Sequence, residues 1–185
     1  MARVTGNSLL RGVSGKIGGL VVRQVGEHTI VSAAEGHRPR APRSPKQQAQ
    51  LERMYRAQLY AKAQMQDPAA KARYATGVDA RRTSAYTVAV ADHLNPPTIQ
   101  RADVHAYHGR PGDAVRVWAT DDFGVAAVLV HAQAPDGTAL ETGPAAPQPD
   151  GSWLYRIQQP HPAGTTLHVE AHDWAGNIAR HSHPA

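Results

Sequence analysis

Hydrophobic and polar positions follow three different patterns along the chain. Residues 1–15 are rich in Gly and Ser, with Leu9, Leu10 and Val13 scattered without a repeat, and read as an arm. From Lys16 to Ala33, the run Ile17, Leu20, Val21, Val22 and Val25 precedes Gly26-Glu27, and Thr29-Ile30-Val31 follows. β-Branched residues on both sides of a glycine turn predict a hairpin. A two-stranded hairpin is marginal in water, so this one is expected to pack on something else, another subunit included.

Residues 34–45 hold three prolines and four charges, which predicts an extended, polyproline-like linker. The pattern then turns helical. Ser44 is a good N-cap and Pro45 suits the first helical position. The helix is expected to run to about Gln66, with Leu51, Met54, Tyr55, Leu59 and Met65 at three- and four-residue spacing as its buried face. Asp67-Pro68 ends it and opens a short second helix through Tyr74. A third is expected from about Thr83 to His93, stopped by Asn95-Pro96-Pro97, where a domain boundary is placed.

From Thr98 the period becomes two. Strands are expected at Val104–Tyr107, Ala114–Ala119, Val125–Ala134, Ala139–Glu141, Trp153–Ile157, Thr165–His172 and Asn177–His181. Pro135-Asp136-Gly137-Thr138 is a tight turn, and 143–150 is a Pro-rich loop. Short strands at regular spacing predict an antiparallel sandwich, its core made by Val115, Val117, Val128, Val130, Trp153, Tyr155, Leu167 and Val169.

Charge divides the chain unevenly. Lys and Arg number 20 against 15 Asp and Glu, and the excess lies before about residue 101. Such asymmetry fits a nucleic-acid or acidic-surface partner, or a basic part of one subunit docking on an acidic part of the next. The absence of a nucleic-acid motif favours the second. There is no cysteine, which excludes disulfides, thiolate metal sites and cysteine nucleophiles. Apolar runs fall well short of the roughly 18 residues of a membrane span, so no membrane insertion is expected. The N-terminus lacks the apolar stretch of a secretory signal; an extracellular, cell-surface or virion location is favoured, by a route that needs no such signal.

Ala119-Thr120-Asp121-Asp122-Phe123-Gly124-Val125 and Ala171-His172-Asp173-Trp174-Ala175-Gly176-Asn177 resemble two turns of bacterial immunoglobulin-like domains. The resemblance covers roughly residues 99–183. It implies a spacer, adhesive module or decoration of cell-surface and virion proteins, and speaks against an enzyme. Gly12–Gly18, Val22-Arg23-Gln24, Thr29–Ser32, Gln47–Gln50 and Ser84-Ala85-Tyr86 are similar to a group of uncharacterised bacterial proteins with a glycine-rich start, a hairpin and a basic helical section. The expected fold is thus α+β and multi-part. It has an N-terminal arm and β-hairpin (1–33), a basic Pro-rich linker (34–45), a small helical region (46–97) and an all-β immunoglobulin-like sandwich (98–185).

Candidate chemistry is sparse. Gly15-Lys16 lacks the spacing and the preceding strand of a phosphate loop. Eleven histidines include clusters at His105/His108, His168/His172 and His181/His183. Residues two or four apart on a strand share a face, so adjacent strands could pool His168, His172, His181 and His183 as imidazole ligands. The simpler reading is a strand surface or a chain end, and no metal or other cofactor is assigned. Asp121, Asp122 and Asp173 sit at sandwich loops, where carboxylates hold calcium or, more commonly, bond turn amides. No nucleophile elbow or zinc-protease motif is present.

These features predict a non-catalytic structural subunit that assembles with itself through Leu9, Leu10, Val13, Ile17, Leu20, Val22 and Ile30, as a filament or other homopolymer. One alternative is a nucleic-acid-associated module with Arg38, Arg40, Arg43, Arg53 and Arg56 on phosphates, joined by Arg81 and Arg82. Another is a carbohydrate- or receptor-binding decoration that uses an exposed aromatic, with Trp174 the best placed.

Overall fold

A computed structural model describes residues 2–4, 12–26, 28–34 and 42–184, the first three by backbone alone. The described chain forms two compact units, which divide between Ser44 and Pro45.

In the first unit, the expected hairpin is β3 (Leu20–Val25) and β4 (His28–Ala33). Gly26 takes a positive φ of 57° at the turn, which a side chain would resist. Two short strands extend the hairpin to a four-stranded antiparallel sheet. β1 (Ala2–Val4) pairs with β4 on one edge, and β2 (Gly15–Ile17) pairs with β3 on the other. Residues 2–4, read as part of an arm, are therefore an edge strand of this chain's own sheet.

The second unit starts with three helices. α1 covers Pro45–Gln64, α2 Pro68–Ala75 and α3 Ala85–Leu94. The Asp67 side chain accepts from Ala69 N at the start of α2, and Ser84 and Thr87 form a reciprocal capping box on α3. The inward face of α1 differs from the expected one. Ala57 and Ala61 are buried, whereas Leu51, Met54, Tyr55 and Leu59 are exposed. Small side chains at i and i+4 let α1 approach α3 closely, and the large apolar residues lie round the helix from that seam. Buried Ala61, Tyr74, Val88 and Ala89 make the helical core, with Met65 and Phe123 packed against them.

Two antiparallel sheets follow and share a core. One has the order β5 (Thr98–Asp103), β6 (Ala114–Thr120), β10 (Trp153–Arg156), β9 (Ala146–Pro147). The other has the order β12 (Ile178–Pro184), β11 (Thr166–Asp173), β7 (Val125–Gln133), β8 (Ala139–Pro144). Burial alternates residue by residue along β11, so one side of each strand faces inward. Val115, Val117, Val128, Val130, Tyr155, Leu167 and Val169 are buried in this core, with Trp153 half-buried against it. The chain is thus a mixed α+β protein whose sheet pair has the layout of a β-sandwich.

One expected strand is displaced, and one expected loop carries strand residues. The first runs over Thr98–Asp103, not Val104–Tyr107. Asp103 Oδ1 accepts from His105 N at 3.1 Å and Tyr107 N donates to Val104 O at 2.9 Å, which turns the chain where a strand was expected. The Pro-rich stretch 143–150 includes the end of β8 and the short β9.

Candidate functional site

Register sorts the expected assembly residues of the first unit. Ile17 lies opposite Leu20, and Val22 opposite Val31, so Ile17, Leu20, Val22 and Val31 share one face. Arg23 lies opposite Ile30, which puts Ile30 on the other face. Val22 is buried, Ile17 and Leu20 are exposed, and Ile30 is intermediate. Gln24 Nε2 donates to the Val13 carbonyl at 3.0 Å, holding the segment before β2. Leu9 and Leu10 lie outside the described residues.

Five of the seven basic candidates fall within the described residues. Arg38 and Arg40 lie outside the described residues, and Arg43 is an exposed residue of the first unit. Arg53 and Arg56 are exposed on α1, and the Arg53 guanidinium donates to the Leu94 carbonyl at the end of α3. Arg82 pairs with Asp79 and Asp122, while Arg81 is exposed.

The histidine pairs fall on opposite faces. His168 lies opposite Ser182 and His131, whereas His181 and His183 lie opposite Val169 and Leu167 on the inward side of β11. His168 already bonds Ser182 through Nδ1 and Gln133 through Nε2, and His172 Nε2 lies 3.2 Å from Glu170 Oε2. Arg180 completes the surround of Glu170, and its guanidinium holds the Glu170 carboxyl below the usual carboxylate range.

A dense polar site lies where the helices meet the loops of the sandwich. Phe123, at the β6–β7 turn, packs its ring against Tyr74, with centroids 4.9 Å apart. Tyr74 Oη donates to Asp92 Oδ2 at 2.6 Å. Tyr60 Oη donates to the Trp174 carbonyl at 3.0 Å and lies 2.7 Å from Tyr74 Oη. Asp121 Oδ2 accepts from Phe123 N and Gly124 N at 2.8 and 3.0 Å. Asp173 accepts from Asn177 N through Oδ1 and from Asn177 Nδ2 through Oδ2, both at 2.7 Å. Asp121 and Asp173 thus do the turn work expected of them.

Electrostatics at this site are unbalanced. Burial, together with the negative charges of Asp173, Asp121 and Asp122, raises the Asp92 carboxyl to about 7, against the hydrogen bond from Tyr74. Burial also raises Asp121, and burial plus the bond to Asp92 raises Tyr74. Trp174 is exposed, but the Arg73 guanidinium sits 4.4 Å from its ring centroid and covers one face.

Asp92 was not among the sequence candidates. The available signal is its place in the apolar helix Ala85–Leu94, four residues after Val88 and three after Ala89 on the buried face. A carboxylate there needs a partner.

No protein-family model and no curated protein sequence matches the chain. Among solved structures, an engineered protein is 20% identical over a match that covers 57% of this chain and 23% of that one, with a TM-score of 0.35. The chain thus spans about a quarter of that protein's length.

Proposed function

We propose that this chain is a non-catalytic structural subunit that joins copies of itself through its N-terminal sheet and displays an immunoglobulin-like sandwich. The observation that carries the reading is the unfinished apolar face of the first unit. Among its described residues Val22 is the buried apolar side chain, while Ile17 and Leu20 on the same face stay exposed. A small sheet with so little buried apolar surface gains little to offset the ordering of its backbone. A second copy laid on that face, or a strand added at an edge, supplies the missing burial and main-chain bonds. Repeated from subunit to subunit, such a contact builds a fibre or a ring, as in a surface filament or virion component.

The immunoglobulin-like part of the proposal is supported by strand order. β5-β6-β10-β9 and β12-β11-β7-β8 correspond to the A-B-E-D and G-F-C-C′ sheets of that architecture. The two turns that resemble the family both lie at the helix-facing end and hold Asp121 and Asp173.

The test uses full-length protein. Light scattering after size exclusion and negative-stain microscopy, at low and high salt, are expected to show oligomers that persist in high salt. The double substitution Ile17→Glu and Leu20→Glu, at exposed positions, is expected to return them to monomers. A wild-type monomer at both salts overturns the proposal. Nucleic-acid binding that falls steeply with salt would favour the basic-module alternative instead.

A further inference from the structure

We infer that Asp92, Asp121 and Asp122 form a binding site for a hard divalent cation of the Ca2+ class, between α3 and the β6–β7 turn. Carboxylate oxygens of the three residues lie within 4.8 Å of one another. The site belongs to the second unit and is independent of the assembly proposed for the first.

Each carboxylate is anchored through one oxygen. Asp92 Oδ2 accepts from Tyr74, Asp121 Oδ2 from two backbone amides, and Asp122 Oδ2 from Asn95 Nδ2 at 3.1 Å. The anchoring donors set the orientation of all three groups, as outer partners do around metal ligands. The second oxygens of Asp92 and Asp121 are left over. Asp92 is fully buried, and its Oδ1 has no hydrogen-bond partner among the described residues. Asp121 Oδ1 is likewise buried and unpartnered among them.

A buried carboxylate oxygen without a donor is costly, and this cluster holds two. A proton on Asp92 neutralises one of the three acids and leaves Asp121 and Asp122 charged beside it. Arg82 contacts Asp122 at 3.5 Å and is shared with Asp79, and it bonds neither of the two orphaned oxygens. A single cation satisfies all three carboxylates at once. The donor set is all oxygen, which suits Ca2+ and not a soft metal, with water completing the usual six to eight ligands.

The test uses Tb3+ as a luminescent stand-in for Ca2+ on the full-length, EDTA-treated protein. Tyr74 bonds Asp92 directly, so a bound lanthanide lies within reach of aromatic sensitisation. The expected result is a saturable signal that Ca2+ displaces, and a higher Tm in Ca2+ than in EDTA. Asp122 is exposed, and Asp122→Asn keeps an acceptor for Asn95, so this variant is expected to fold and to bind at least about tenfold more weakly. Asp92→Asn is expected to lose the signal. No saturable signal, no displacement at about 5 mM Ca2+, which exceeds the weakest usual calcium sites, or unchanged affinity in Asp122→Asn each overturns the assignment. If Asp92→Asn fails to fold, the Asp122→Asn comparison decides alone.

Discussion

Tyr74 Oη lies 2.6 Å from Asp92 Oδ2, and both side chains are fully buried, so one phenol is the donor that holds the Asp92 carboxyl. Tyr74→Phe keeps the ring against Phe123 and removes the donor. Asp92 then has no bonded carboxylate oxygen, and a loss of about 1–3 kcal/mol is expected. Urea unfolding of the two proteins measures it; equal midpoints would show that Asp92 does not depend on this bond.

Asp92 also sets a pH dependence in cation-free buffer. Its folded carboxyl titrates at about 7, against an ordinary 3.8. Between those values the folded chain holds one more proton than the unfolded chain, so stability falls as pH rises through the window. The slope from this group is at most about 1.4 kcal/mol per pH unit. Thermal unfolding in EDTA across that window should show the decline in wild type, and Asp92→Asn should flatten it. A slope shared by both proteins would assign the effect to other groups.

Gly77 is packed by its lack of a side chain. A Cβ there would lie 2.7 Å from Phe123 Cδ2, 2.8 Å from Phe123 Cε2 and 3.0 Å from Val88 Cγ1. Gly77→Ala is therefore expected to destabilise by about 1–3 kcal/mol through overpacking, despite the alanine's lower chain entropy. Chemical denaturation that shows a gain would mean that the Phe123 ring moves aside freely.

The outward stripe of α1 makes a paired prediction. Leu59→Ser, at an exposed site, is expected to stay within about 0.5 kcal/mol of wild type as a monomer. Val117→Ala, in the sandwich core, is expected to cost about 2 kcal/mol or more. A large loss at Leu59 would show that its face is covered in solution.

These cases mark what could be read from residue order. The strands of the sandwich were legible because alternation of period two leaves one inward side, and Val115, Val117, Val128, Val130, Leu167 and Val169 fall on it. The α1 face was not, because large apolar side chains mark a stripe on a helix without showing which side packs inward. Ala57 and Ala61 carry little hydrophobic signal, yet they are what allows close helix packing. The histidines needed register, which a single strand's period does not supply: a shift of one residue moves His181 to the other side of the sheet. Asp92 needed a contact across the fold, since its carboxylate neighbours lie in a turn that the helix sequence cannot anticipate.

Asn177 reaches back across 85 residues, its amide donating to the Asp92 carbonyl at 3.0 Å and to that of His93 at 3.4 Å, while Gly176 before it takes a φ of 88°. The last turn of the sandwich is thereby the cap of α3. The β-strands are in consequence not a portable module. A fragment cut at Pro97 would keep every strand of the sandwich and still lose the helical partners of Asn177, the ring beneath Phe123 and the phenol below Trp174. Grafting this sandwich onto another protein requires the helices to travel with it.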